Sequence, residues 1–280
     1  MRVELVFIFI LVACSVVRAE EAETNKQQRL DFIRTTLARF EVETVDDTAK
    51  QLTLSVEPAL WYTNPVRSAT GTGATFFWLD GVRPVAAVSA SIRDSGRVFR
   101  ETSLLQDVPL RATRDGKLVW SPKRIAKPWA ILPDAPQPGK NDPQRLIQMR
   151  AIVRRFEARL LKGDMEPGEL RALSRPIYRY TDPAVGIVDG VVFGLVEATD
   201  PEALLLLEAH ADDAGGSWQY TIARMTSRPS EVRLDGRELW ETDAYWKNPR
   251  SKEDPYMEAY DSQYEADVIE VRGQESEVSR

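Results

Sequence analysis

The sequence predicts an α+β fold: two tandem copies of an N-terminal amphipathic helix packed on a curved antiparallel β-sheet. Three observations lead there. Blocks of sequence recur at offsets of 116 to 120 residues. An apolar stripe at helical spacing opens each copy, and β-forming runs separated by short turns follow it.

The recurrence keeps its order along the chain. Gln28-Arg29-Leu30 returns as Gln144-Arg145-Leu146, with Arg34/Arg150, Arg39/Arg155 and Phe40/Phe156 at the same offset. Pro58, Tyr62 and Asn64-Pro65 return as Pro176, Tyr180 and Asp182-Pro183. Gly73-x-x-Phe76 with Pro84 returns as Gly190-x-x-Phe193 with Pro201. Pro109 and Asp115-Gly116-Lys117-Leu118-Val119-Trp120 return as Pro229 and Asp235-Gly236-Arg237-Glu238-Leu239-Trp240. Any one match is weak, because Pro and Gly punctuate most loops. Their common register implies internal duplication.

The chain opens on Met1-Arg2-Val3-Glu4 and an apolar run from Leu5 to Val17, followed by Arg18 and Glu20-Glu21. That run is too short to cross a bilayer as a helix and has the order of a signal peptide. Val17 and Ala19 place small residues at −3 and −1, so cleavage after Ala19 is expected. Leu11-Val12-Ala13-Cys14 also matches a lipobox, and lipidation at Cys14 is the alternative. Either route predicts export, to the periplasm or outside the cell, with no integral membrane segment left after cleavage.

Helical signals come next. Leu30, Ile33, Leu37 and Phe40 form one apolar face, repeated as Leu146, Met149, Val153 and Phe156. Asn141 or Asp142 is the expected N-cap, with Pro143 at the first helical position. Arg34, Arg39, Arg150, Arg154 and Arg155 read as a solvated face.

Strands are expected over 51–56, 74–79, 85–92, 98–104 and 117–120. In the second copy they fall over 176–180, 191–197, 203–209, 218–225 and 231–240. Asp115-Gly116 and Asp235-Gly236 carry the signature of two-residue hairpin turns. The pattern gives a helix cradled by a curved sheet, cystatin-like or NTF2-like in outline. The expected division is a signal peptide (1–19), a first repeat (20–122), a Pro-rich linker (123–140), a second repeat (141–248) and an acidic tail (249–280). Tyr256, Tyr260 and Tyr264, four residues apart, would stripe a short helix in that otherwise loosely ordered tail.

Composition narrows the chemistry. At 280 residues, 43% hydrophobic and 29% charged, the chain can build a substantial core. Its one cysteine, Cys14, lies in the leader, which excludes disulfides, thiolate metal sites and a cysteine nucleophile from a chain cut after Ala19. The single His210 leaves no imidazole cluster for zinc. Net charge is −6 at pH 7, and nine acids against four bases fall in residues 250–280. The body is therefore close to neutral, which argues against a nucleic-acid or anionic-membrane surface.

The second copy carries Pro176-Ile177-Tyr178-Arg179-Tyr180, Asp189-Gly190-Val191-Val192-Phe193 and Thr199-Asp200-Pro201-Glu202, then Leu205-Leu206-Leu207-Glu208-Ala209 and Trp218-Gln219-Tyr220. The first carries Asp80-Gly81-Val82-Arg83-Pro84-Val85-Ala86 and Leu118-Val119-Trp120-Ser121-Pro122. Over residues 25 to 258 these motifs resemble a family of exported planctomycete-type bacterial proteins of unknown function. The resemblance implies an exported location and a shared fold, and carries over no activity.

No catalytic, cofactor or metal signature stands out. His210, beside Asp212-Asp213, reads as a surface-turn residue, and Gly71-Thr72-Gly73 precedes a strand and reads as a turn. Glu101, Glu197, Asp200 and Glu208 could pair as acid and base, but strand-edge carboxylates ordinarily face solvent. Trp120 and Trp240, at matching strand ends, and Tyr62 and Tyr180 are the candidate ligand contacts; packing in the core is the competing role for the tryptophans. The expected function is a non-catalytic envelope protein that binds a partner or small ligand between helix and sheet. The alternative is a carboxylate-dependent hydrolase of the envelope.

Overall fold

The computed structural model describes residues 24–46, 48–63, 72–93, 95–162, 165–211, 215–247 and 251–264. The leader with Cys14, Asn64-Pro65, Gly71, Asp212-Asp213 and the tail beyond residue 264 lie outside the described residues.

Helix α1 (24–37) turns Leu30, Ile33 and Leu37 inward. It is followed by β1 (Phe40–Thr44), β2 (Thr53–Leu54), β3 (Leu60–Thr63), β4 (Thr72–Asp80), β5 (Arg83–Ile92), β6 (Arg97–Leu104), β7 (Leu110–Arg114) and β8 (Lys117–Trp120). A short strand, β9 (Ala130–Ile131), lies in the Pro-rich segment. Helix α2 (Asp142–Val153) starts at Asn141, whose side chain accepts the Gln144 backbone N–H at 3.0 Å. Then come β10 (Phe156–Lys162), β11 (Met165–Ala172), β12 (Tyr178–Asp182), β13 (Ile187–Glu197), β14 (Asp200–His210), β15 (Ser217–Arg224), β16 (Ser230–Leu234), β17 (Arg237–Thr242) and β18 (Tyr256–Gln263).

Pairing follows the same scheme after each helix. The first strand pairs the seventh and the seventh the eighth: β1–β7–β8 and β10–β16–β17. Strands four, five and six form an antiparallel meander, β4–β5–β6 and β13–β14–β15, and strand three lies on strand four. The Asp-Gly turns form as expected, with Asp115 and Asp235 both at φ 51° and Gly116 and Gly236 at φ 73° and 75°. Positive φ at both central residues is the type I′ requirement.

The α+β expectation, with its cystatin-like or NTF2-like outline, is overturned. The described residues form eighteen strands against two α-helices, in antiparallel sheets that curl as a half-barrel. The strands themselves show why. In β4, Phe76 and Trp78 face the layer that contains α1, whereas Phe77 faces the opposite way. In β13, Val191, Phe193 and Leu195 face the α2 layer and Val192 the other side. Successive residues point to opposite faces of a strand, so both faces of β4 and of β13 are covered. Phe77, Ala87 and Leu105 meet Val192, Leu204, Leu206, Ala223 and Met225 in a central layer between the sheets. Sheet against sheet organises the interior, and each helix covers part of an outer face.

Two smaller expectations also change. Residues 256–263, expected to be loosely ordered or helical, form β18 and pair with β6. Within the linker, Ala130 and Ile131 pair with Tyr220 and Gln219 of β15.

Candidate functional site

The candidate site lies where the linker and the C-terminal segment run over the ends of β15 and β17. A cleft of about 340 Å³ is lined by Arg224, Trp240, Thr242, Asp243, Ala244, Tyr245 and Tyr256, closed by Ala126, Asp254 and Pro255. Ala126, Asp254 and Pro255 also border a wider groove along Lys123, Arg124, Ile125, Pro128, Ser251 and Glu253.

Each wall has a local cause. Trp240 stands opposite Val232 on β17, half-buried against the second core. The 3-10 turn Tyr245–Lys247 follows β17, burying Tyr245 and leaving Trp246 56% exposed. Pro255 precedes Tyr256, the first residue of β18, whose hydroxyl donates to Glu101 Oε1 at 2.5 Å. The two tyrosine rings meet edge to face with centroids 5.0 Å apart. The Arg224 guanidinium lies 5.0 Å from the Tyr256 centroid and 5.9 Å from that of Tyr245. It donates to the carbonyls of Thr226 and Arg228. Burial lowers the Arg224 pKa from its ordinary value, while burial and the neighbouring Glu101 push the Tyr256 phenol well up. The cleft therefore offers aromatic surface, a fixed cation at its base and two carboxylates, Asp243 and Asp254.

Of the four sequence-picked residues, only Trp240 lines this cleft. Trp120 is 1% exposed and donates its indole N–H to the Asp254 carbonyl at 2.8 Å, on the structural side of the same region. Tyr62 and Tyr180 are buried far from it in sequence and in role. Tyr62 lies across Gly73 and shares a 2.6 Å hydrogen bond with Ser89. Tyr180 lies across Gly190 and donates to Glu208 Oε1 at 2.6 Å.

Glu208 is the residue that sequence reasoning misplaced. Its side chain is 1% exposed, not solvent-facing, and Arg83 donates to both of its oxygens at 3.0 Å. His210 Nε2 lies 2.9 Å from its second oxygen. His210 is thus the last residue of β14 with a carboxylate partner, not a free turn residue. The signal was present: residues i and i+2 on a strand share a face. Glu101 is likewise buried, and Thr72 and Gly73 belong to β4, not to a turn.

A second, smaller hollow of about 270 Å³ carries Glu157, Glu169 and Glu231 with Arg159 and Arg233. Both arginines donate to Glu231. Among the described residues no group of three or more His, Cys, Asp and Glu is placed to hold a metal ion, and no helix is long and apolar enough to cross a membrane. No protein-family model matches the chain, and no curated protein or solved structure is significantly similar to it.

Proposed function

We propose that the protein is an exported, non-catalytic binding protein of the cell envelope that takes a small ligand in the Trp240 cleft. The observation that carries this is the lining itself. A half-buried indole lines it with two tyrosines packed about a fixed guanidinium, and Asp243 and Asp254 supply carboxylates. Cleft volumes of this order hold small organic molecules. Aromatic faces beside carboxylates suit a saccharide, whose C–H faces stack on rings while its hydroxyls donate to the acids. Export by cleavage after Ala19 belongs to the same proposal.

The hydrolase alternative is less well supported. A carboxyl that serves as general acid at neutral pH needs a raised pKa. Burial pushes Glu208 up, but His210, Arg83 and Tyr180 outweigh it and leave it below the ordinary range. Glu231 is also lowered, by Arg233 and Arg159 acting against desolvation.

Tryptophan fluorescence titration with a panel of mono- and disaccharides tests the proposal. At least one should give a saturable change that Trp240→Ala abolishes without unfolding the protein. No saturable change with any sugar overturns the saccharide assignment.

A further inference from the structure

The contacts between the first half (24–120) and the second half (142–242) are reciprocal. Ala87 sits in a rung with Phe77 and Ser103, and Leu204 in a rung with Gly194 and Ala223. The two rungs hold corresponding positions in the two meanders, and Ala87 and Leu204 both enter the central layer. Leu105 and Met225, one residue beyond β6 and β15, enter it as well. Their backbone N–H groups donate to Val85 and Glu202, each at 2.8 Å. The hairpin tips also cross symmetrically. Tyr178 of β12 donates its hydroxyl to the carbonyl of Val82, at the β4–β5 tip. Thr199, at the β13–β14 tip, donates to the carbonyl of Thr63 in β3.

The segments after the two halves exchange in the same way. After β8 the chain crosses to the second half, where the Lys127 ammonium donates to the Leu239 carbonyl and β9 adds to the edge of β15. After β17 it crosses back to the first half, where the Lys252 ammonium donates to the Leu118 carbonyl and β18 adds to the edge of β6. Each tail thus completes the sheet of the other half. A self-complementary patch in which residue i meets j and j meets i is the mark of a two-fold, isologous interface.

We infer that the two halves are copies of one module that associates with a second copy of itself through this face, with C-terminal strands exchanged, and that the dimer has been internalised by fusion. The surface formed by Ala87, Leu105, Leu204 and Met225 is a dimerisation surface, and its partner is the other copy of the module. Divergence has since made the pair unequal. Arg83 of the first half grips Glu208 of the second, whereas the corresponding tip position in the second half is Asp200. This inference is independent of the ligand proposed for the Trp240 cleft.

A protease site inserted after Asp134, an exposed turn residue with φ 53°, tests it on the folded full chain. The cut falls between β9 and α2, so each fragment keeps its own crossing tail. The cut protein should elute as one species at the mass of the intact chain. Its fragments should unfold together, in one transition whose midpoint rises with protein concentration, because the reaction is now bimolecular. Fragments that separate under native conditions, folded or unfolded, overturn the inference. Two transitions independent of concentration overturn it too.

Discussion

The phenol of Tyr180 crosses Gly190 at a distance that only bare backbone permits: a Cβ built on Gly190 would lie 2.5 Å from the ring's Cζ. Tyr62 stands over Gly73 in the same way, with the corresponding distance 2.4 Å. Glycine here admits a ring, which reaches over strand four to a polar group on strand five. Gly190→Ala must displace that ring and its bond to Glu208. We expect a loss of about 1–3 kcal/mol, the usual cost of overpacking a filled interior. Urea midpoints of the two proteins measure it, and an unchanged midpoint would show that the ring is free to move.

Glu208 sets a pH dependence with a definite sign. Its folded-state pKa lies below the ordinary value, so its contribution is present above about pH 4.3, the unfolded value, and is lost as pH falls through the folded one. Glu208→Gln should have a lower melting temperature at pH 7, by the equivalent of about 3 kcal/mol, because Arg83 loses its anion. Its acid limb should be shallower than that of the parent. Melting curves from pH 7 to pH 3 compare the two, and parallel curves would remove Glu208 from the account. His210→Ala should cost about 1 kcal/mol, the worth of its one hydrogen bond to Glu208.

Asp261 anchors the last strand. It accepts Arg100 Nε and Arg114 Nη1, each at 2.7 Å, and the Asp261 and Arg100 side chains are 6% and 2% exposed. Asp261→Ala leaves two partly or fully buried cations without their anion and should cost about 3–5 kcal/mol. Hydrogen exchange should speed first in β6 and β18. Protection retained there would mean that the strand is held by its backbone pairing alone.

The two equivalent tryptophans should behave differently. Trp120→Ala removes a 1% exposed ring and its bond to Asp254, and we expect a loss of about 3–5 kcal/mol. Trp240→Ala, half-buried at the cleft, should lose less than half of that and abolish sugar-dependent fluorescence. Equal thermal losses would return Trp240 to a purely structural role.

If the proposed export by cleavage after Ala19 holds, the intact mass of the mature protein should correspond to a chain beginning at Glu20. A diacylglyceryl group on Cys14 would place the protein on a membrane instead.

The elements legible in the sequence were those that local chemistry decides. The Asp-Gly hairpins, the Asn141 cap and the long apolar runs of β4, β5, β13 and β14 could all be read from neighbours in the chain. Phe40-Glu41-Val42-Glu43-Thr44 alternates inward and outward as β1, yet Phe40 also continues the helical stripe of Leu30, Ile33 and Leu37. The helical period masked the strand. The class itself failed because burial on the second face of a strand depends on a sheet from the other half, which no local window contains. For the site, only Trp240 was legible. Tyr245, Arg224 and Tyr256 come together through a turn, a strand end and the tail, and no spacing in the sequence announces their meeting.

The exchange of tails governs the order in which the chain can complete itself. The first sheet lacks its outer strand until residues 256–263 exist, and the pair between Arg100 and Asp261 spans 161 positions. Contacts that distant form late and slowly. A nascent chain emerging from the ribosome therefore holds the β6 edge unfinished until residues 256–263 follow. Under the export proposed above, that delay would help: the first sheet stays incomplete until residues 256–263 have crossed.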